Sequence, residues 1–170
     1  MSNQIPKQFF FDVQLNWISD TKGLLTAKDT EGSIHVATPP EFGGSGKPWT
    51  PEHLFLGSIS SCYMSTYLSL AKKMKFEISH FSCDAIGKLE IIDGRFMFTT
   101  INLYPKIFIA DEEIRDKANL VAEKTHKHCL ITNSVSSEVV YHTEILTIPE
   151  NEEVENDQYE HRMDNSETEF

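Results

Sequence analysis

The chain has 170 residues, 39% of them hydrophobic, enough for one compact folding unit with a real core and too little for two independent ones. Its formal net charge of −11 argues against a nucleic-acid partner, because such binding draws its affinity from clustered Lys and Arg. Met1-Ser-Asn-Gln-Ile-Pro-Lys-Gln8 has no apolar stretch like that of a signal peptide, and no window approaches the roughly 18 apolar residues of a membrane span, so a cytoplasmic protein without a membrane partner is expected.

Phe9, Phe11, Val13, Leu15 and Trp17 alternate with Phe10, Asp12, Gln14 and Asn16, the period-two pattern of a strand with one buried face. Short apolar pieces over residues 24–27 and 33–37 flank Asp29-Thr30-Glu31-Gly32, which completes a three-stranded meander. Residues 38–50, rich in Pro and Gly, form a surface loop. Thr50-Pro51-Glu52 then reads as an N-cap, a first-turn proline and a first-turn acid. Leu54, Phe55, Ile59, Cys62, Tyr63, Thr66 and Leu70 recur at helical spacing as far as Lys72-Lys73.

Strands are expected over residues 76–82 and 88–92, then a tight turn at Asp93-Gly94 and a partner strand from Phe96 to about Tyr104. Asp111-Glu112-Glu113 opens a second helix that carries Ile114, Ala118, Val121, Ala122, Thr125 and Cys129 on one side and ends near His128 or Cys129. One last strand covers residues 137–147. From Pro149 the chain is acidic and polar, and residues 149–170 read as a disordered tail behind a single domain over residues 1–148. Most of the negative charge sits in that tail, so the body is close to neutral.

Three cysteines are too few for a structural disulfide framework, so a pair among them would serve chemistry. His126, His128 and Cys129 lack metal-ligand spacing on a helix, and no structural metal or other cofactor is expected. Gly43-Gly44-Ser45-Gly46 lacks the lysine and helix of a phosphate loop. Cys83 alternates with Phe81 and Ala85 and reads as core, while Trp49, Phe42, Tyr63 and Met64 are candidates to line an apolar pocket.

Two features stand together: Gly43-Gly44, then Thr50-Pro51-Glu52-His53-Leu54 leading to Cys62, and a second helix ending in Cys129-Leu130-Ile131-Thr132-Asn133-Ser134. Over residues 13–148 the chain resembles the OsmC/Ohr family. The resemblance implies an α+β fold with an N-terminal antiparallel meander and two main helices packed on antiparallel sheet. It also implies an intertwined homodimer that reduces organic hydroperoxides or hydrogen peroxide with electrons from a dithiol or lipoyl-type protein. It makes Cys62 the peroxidatic residue, Cys129 the resolving residue and Glu52 a charged partner of the site. The family's arginine from the N-terminal strands is missing, because the arginines here are Arg95, Arg115 and Arg162; Lys22 falls near the expected place.

Geometry restricts these roles. Cys62 lies about three turns into a helix that starts at Pro51, beyond the reach of that helix's dipole, so its activation calls for Lys22 or an equivalent. Glu52 precedes Cys62 by about 15 Å along the helix axis, so a Glu52 serving that site would come from the partner subunit. A cysteine-based acyl or thioester hydrolase would need His53, His126 or His128 as a base near Cys62. A third reading, supported by the missing arginine, is a non-catalytic OsmC-like protein that binds a small apolar ligand.

Overall fold

The structure, a computed structural model, describes residues 8–148. The predicted acidic tail lies outside the described residues. Within the described residues, those up to Phe55 and those from Leu56 onward form two compact units.

The first unit is a three-stranded antiparallel sheet, β1 (Gln14–Ser19), β2 (Lys22–Thr26) and β3 (Ile34–Ala37), in the order β1-β2-β3. The meander is the predicted one, with a shorter first strand. Phe9 to Val13 are exposed and precede it, and the expected buried face is not formed by β1, in which Leu15 is 61% and Trp17 76% exposed. The Trp17 indole N–H donates to the Asp20 carbonyl (3.0 Å) and pins the β1–β2 turn. Helix α1 (Pro51–Lys73) begins in this unit. Thr50 Oγ1 accepts from the His53 N–H (3.3 Å), and His53 Nδ1 accepts from the Thr50 N–H (3.3 Å). This reciprocal pair has the logic of a capping box, with histidine replacing the usual Glu or Gln.

The second unit holds the rest of α1, a four-stranded sheet and α2 (Arg115–His128). Strands β4 (His80–Ile92) and β5 (Arg95–Ile109) form a long antiparallel hairpin, closed by Asp93 and Gly94, both at positive φ as the sequence predicts. The single last strand expected over residues 137–147 is instead two, β6 (Glu138–Tyr141) and β7 (Glu144–Thr147), each parallel to β5. The sheet is therefore mixed. Beside β5, β6 pairs with residues 100–103 and β7 with residues 106–109. Pro105, which has no N–H to donate, falls in the interval between them.

Every second residue of β5 from Ile101 to Ile109 is buried, facing Ile59, Tyr63, Tyr67 and Ala71 of α1 and Ala118, Val121, Ala122 and Thr125 of α2 in one core. The four α1 residues recur every fourth position, which places them on one helical stripe. The Tyr67 hydroxyl donates to the Ala118 carbonyl (3.2 Å) and ties α1 to α2. One turn earlier, at the start of α2, the Arg115 guanidinium donates to the Ile145 carbonyl (2.6 Å), to Thr147 Oγ1 (3.0 Å) and to the Glu112 carboxylate.

The hydrogen bonds from Arg115, followed by that from Thr147, hold the Glu112 carboxyl at about 2, well below the usual carboxylate range. A depressed native pKa contributes stability above the unfolded value, and that stability is lost as pH falls through the native one. In Arg115→Met, the Glu112 carboxyl resonance should titrate near the ordinary glutamate value instead of about 2, and the variant should lose less stability than the parent between roughly pH 4.5 and pH 2. Carbon NMR titration and urea melts at both pH values check this.

Candidate functional site

Cys62 and Cys129 come together in the second unit, although 67 positions separate them in sequence. Cys62 sits on α1 beside the buried stripe, one residue before Tyr63, and is half-buried. Cys129 is the C-cap of α2, with an extended backbone and no exposed surface. Its N–H still donates to the Thr125 carbonyl (2.9 Å), after which the chain leaves the helix and turns through the short 3-10 segment Thr132–Ser134. The turn is internally fastened: Asn133 N–H donates to the Cys129 carbonyl (3.1 Å), and Asn133 Nδ2 to the Lys127 carbonyl (3.0 Å).

This turn aims its amides at Cys62. The Ile131 N–H donates to Cys62 Sγ at 3.5 Å, within the longer range of a sulfur acceptor. Burial pushes the Cys62 thiol up, but hydrogen bonds from the Ile131 amide, the Cys129 thiol, the Thr66 hydroxyl and the Leu130 amide outweigh it and leave the pKa lowered. All of these donors are neutral, so the Cys62 pKa is lowered without a cation. Sequence reasoning called for Lys22 because the backbone amides of Leu130 and Ile131, 68 and 69 positions away, leave no trace in composition or spacing.

Cys129 moves the opposite way. Burial raises its pKa against the lowering effect of hydrogen bonds from the Thr132 side chain and amide, and the neighbouring Cys62 raises it further. Its place at the carbonyl end of α2 works in the same direction, since that end of a helix carries partial negative charge. The pair is thus divided into a reachable sulfur whose pKa is lowered and an enclosed one whose pKa is raised.

Aromatic rings wall the enclosed side. The Tyr141 ring from β6 stacks on His126 with centroids 3.9 Å apart and lies 5.7 Å from that of Tyr63. Burial first, then Cys129 and Cys62, raise the Tyr141 pKa against the lowering effect of the Thr132 side chain. Tyr63, a candidate pocket wall by sequence, is fully buried, and its hydroxyl pairs with Thr143 Oγ1 (3.3 Å). The sequence reading missed Thr66, Thr132 and Tyr141 as site residues; the offset of four from Cys62 to Thr66 and three from Cys129 to Thr132 was the signal available for two of them. Cys83 is half-buried, and burial lifts its thiol to about 11.

Lys22 and Glu52 lie in the first unit. Lys22 is exposed at the start of β2, and Glu52 stands in the first turn of α1 with its Oε2 buried and without a hydrogen-bond partner. His53 serves the α1 cap, and burial lowers the His126 pKa while its Nε2 stays buried without a partner. Among the described residues, the hydrogen-bond partners of Cys62 include no histidine. Nor do the described residues contain a group of three or more His, Cys, Asp or Glu that could hold a metal ion, or a helix long and apolar enough to cross a membrane.

A two-helix α+β unit that presents two cysteines of opposite protonation preference, one on each helix, defines a dithiol protein. The chain belongs to the OsmC-like protein family, whose model matches residues 44–144. It is 20% identical over 132 residues to the uncharacterized protein YmaD of Bacillus subtilis, covering 76% of this chain and 88% of that protein. Its fold is shared by an OsmC-like protein of unknown function from Vibrio cholerae, with TM-score 0.72 and 22% identity over 82% of this chain and all of that one. It is also shared by an organic hydroperoxide resistance protein OsmC from Legionella pneumophila, with TM-score 0.64 and 19% identity over 82% and 98% of the two chains. The organic hydroperoxide resistance protein OhrB of Bacillus subtilis aligns with TM-score 0.58 and 20% identity over 81% and 98%.

The two thiols should separate on titration. Iodoacetamide at neutral pH should label Cys62 first, while Cys83 should react only as pH climbs toward about 11. Cys129→Ala removes one donor to the Cys62 sulfur and should move the Cys62 titration to higher pH, followed by thiolate absorbance. An unchanged titration in that variant would show that the Cys129 thiol donates nothing to Cys62.

Proposed function

We propose that the protein is a thiol-dependent hydroperoxide reductase in which Cys62 is oxidised by the peroxide and Cys129 resolves the product. The observation that carries this reading is the juxtaposition of a reachable Cys62 whose pKa is lowered by neighbouring donors and a buried Cys129 whose pKa is raised by burial. The thiolate of Cys62 attacks the O–O bond, the alcohol leaves with a proton, and the sulfur becomes a sulfenic acid. Cys129 then condenses with it to a disulfide and releases water, before a second peroxide can carry the sulfur to the irreversible sulfinic level. A dithiol or lipoyl-type protein returns the disulfide to two thiols. The names of the Legionella and Bacillus proteins that share the fold support peroxide as the substrate class.

The homodimer belongs to the same proposal, with Lys22 and Glu52 as its charged groups. The axial separation of about 15 Å between Glu52 and Cys62 within one helix favours supply of Glu52 by the partner subunit. The unpaired Oε2 of Glu52 has capacity for a donor from another chain.

Coupled assays with cumene hydroperoxide and dihydrolipoamide test the reading. The unmodified protein should turn over, and Cys62→Ser should fall to the uncatalysed rate. Cys129→Ser should be oxidised once and then accumulate sulfinic acid at Cys62, visible by mass spectrometry. An unmodified protein whose Cys62 is not oxidised by any hydroperoxide would defeat the proposal.

A further inference from the structure

The resolving step sets a problem that the Cys62 donors do not solve. Cys129 must attack sulfur as a thiolate, yet it is completely buried at the carbonyl end of α2, where both the apolar surroundings and the helix dipole oppose a negative charge. Something local must favour the anion at the moment of attack, and only groups already in place can do so in a site that excludes water.

Thr132 is so placed. It is buried, three residues beyond Cys129 in the turn, and its hydroxyl donates to the Cys129 carbonyl at 3.1 Å. Its side chain and its own N–H both stand within hydrogen-bonding reach of the Cys129 sulfur. The same side chain neighbours the Tyr141 phenol, whose ring stacks on His126. A threonine hydroxyl has one proton and two lone pairs, so it cannot donate to carbonyl and sulfur together. In the reduced state the proton is on the carbonyl.

We infer that Thr132 is the positioning residue of the resolving step: its O–H rotates from the Cys129 carbonyl to the Cys129 sulfur as that sulfur gives up its proton, while Tyr141 holds the oxygen in place. The Thr132 N–H supplies a second, fixed donor to the same sulfur. This rests on the proposed peroxide chemistry for its biological use, but the step balances without any further reactant. The Cys129 sulfur loses its proton and attacks the sulfenic sulfur of Cys62. The S–S bond forms as the S–O bond breaks, and the departing hydroxide takes up a proton and leaves as water. The Cys129 sulfur is oxidised and the Cys62 sulfur reduced. Cys129 is thereby inert until Cys62 has been oxidised, which limits its own exposure to peroxide.

The test uses the full chain carrying Cys83→Ser and a probe other than peroxide. With dithiobis(nitrobenzoate), Cys62 releases a first thionitrobenzoate and is left as a mixed disulfide, and attack by Cys129 releases a second. Thr132→Val should leave the first release within about twofold of the parent and slow the second by roughly tenfold or more, the scale of one hydrogen bond to a charged group. Thr132→Ser, which keeps the hydroxyl, should restore the second release, and Tyr141→Phe should slow it alone and by less. The inference is overturned if the parent releases only one equivalent. It is equally overturned if Thr132→Val slows both releases in proportion or neither, or if Thr132→Ser behaves like Thr132→Val. Failure of the peroxide reading is seen separately, as a Cys62 that gives no sulfenic acid with hydroperoxide while the two-phase thionitrobenzoate release persists.

Discussion

The hydrogen bond from the Ile131 amide to the Cys62 sulfur depends on two helices meeting at one level. Cys62 lies three turns inside α1, where the backbone amides of its own helix are engaged with their carbonyls and none points at the side chain. Free amides have to be imported, and they come from the turn at the end of α2, the place where a chain leaving a helix again has N–H groups to spare. The core arranges that meeting. Tyr63 and Tyr67 of α1 lie beside the Phe81 ring of β4, the Tyr67 hydroxyl ties α1 to α2 at Ala118, and the turn that follows α2 reaches Cys62 through the Ile131 N–H.

The two sulfurs acquire opposite tendencies from the same turn. Cys129 is the last residue to use a helical carbonyl and so sits at the negative end of α2; Ile131, two residues on, already presents a free N–H to the other helix. A displacement of two residues along one turn separates a sulfur whose pKa is raised from the amide that helps to lower the pKa of the other. No charged side chain is among the causes of this division within the second unit, which bears on a chain whose N-terminal strands lack the arginine that the family resemblance implies. Neutral amide donors preorganised in a protein lower a thiol pKa by the same physics as a cation, with smaller increments that add.

Sequence reading located the two helices, the meander and the β4–β5 turn because each is announced locally, by Thr50-Pro51-Glu52, by Asp111-Glu112-Glu113 and by Asp93-Gly94. It failed where tertiary packing overrules local signals. Strand β4 runs unbroken through Gly87, which resembles a breaker, because a Cβ there would lie 2.6 Å from the Phe98 ring and 3.0 Å from Leu56; the glycine admits those two side chains. Strand β5 continues past Pro105 because its parallel partners divide around that residue. In the site, Cys62 and Cys129 were legible as a pair through the family resemblance. The donors were not, since Ile131 and Leu130 act through their backbones and any residue type would offer the same N–H.

The enclosed wall of Tyr63, Tyr141, His126 and Thr143 gains a meaning from this division. A polar wall around a buried thiol would hydrate it and let it ionise at rest, so that both sulfurs would be open to peroxide. Here the Tyr63 hydroxyl is paired with Thr143, Tyr141 neighbours Thr132, and the aromatic faces occupy the remaining space. The wall therefore presents the Cys129 sulfur with apolar surface, and its donors come from Thr132, through the hydroxyl and the N–H. Selectivity between the two cysteines follows from how few donors reach Cys129, as much as from how many reach Cys62.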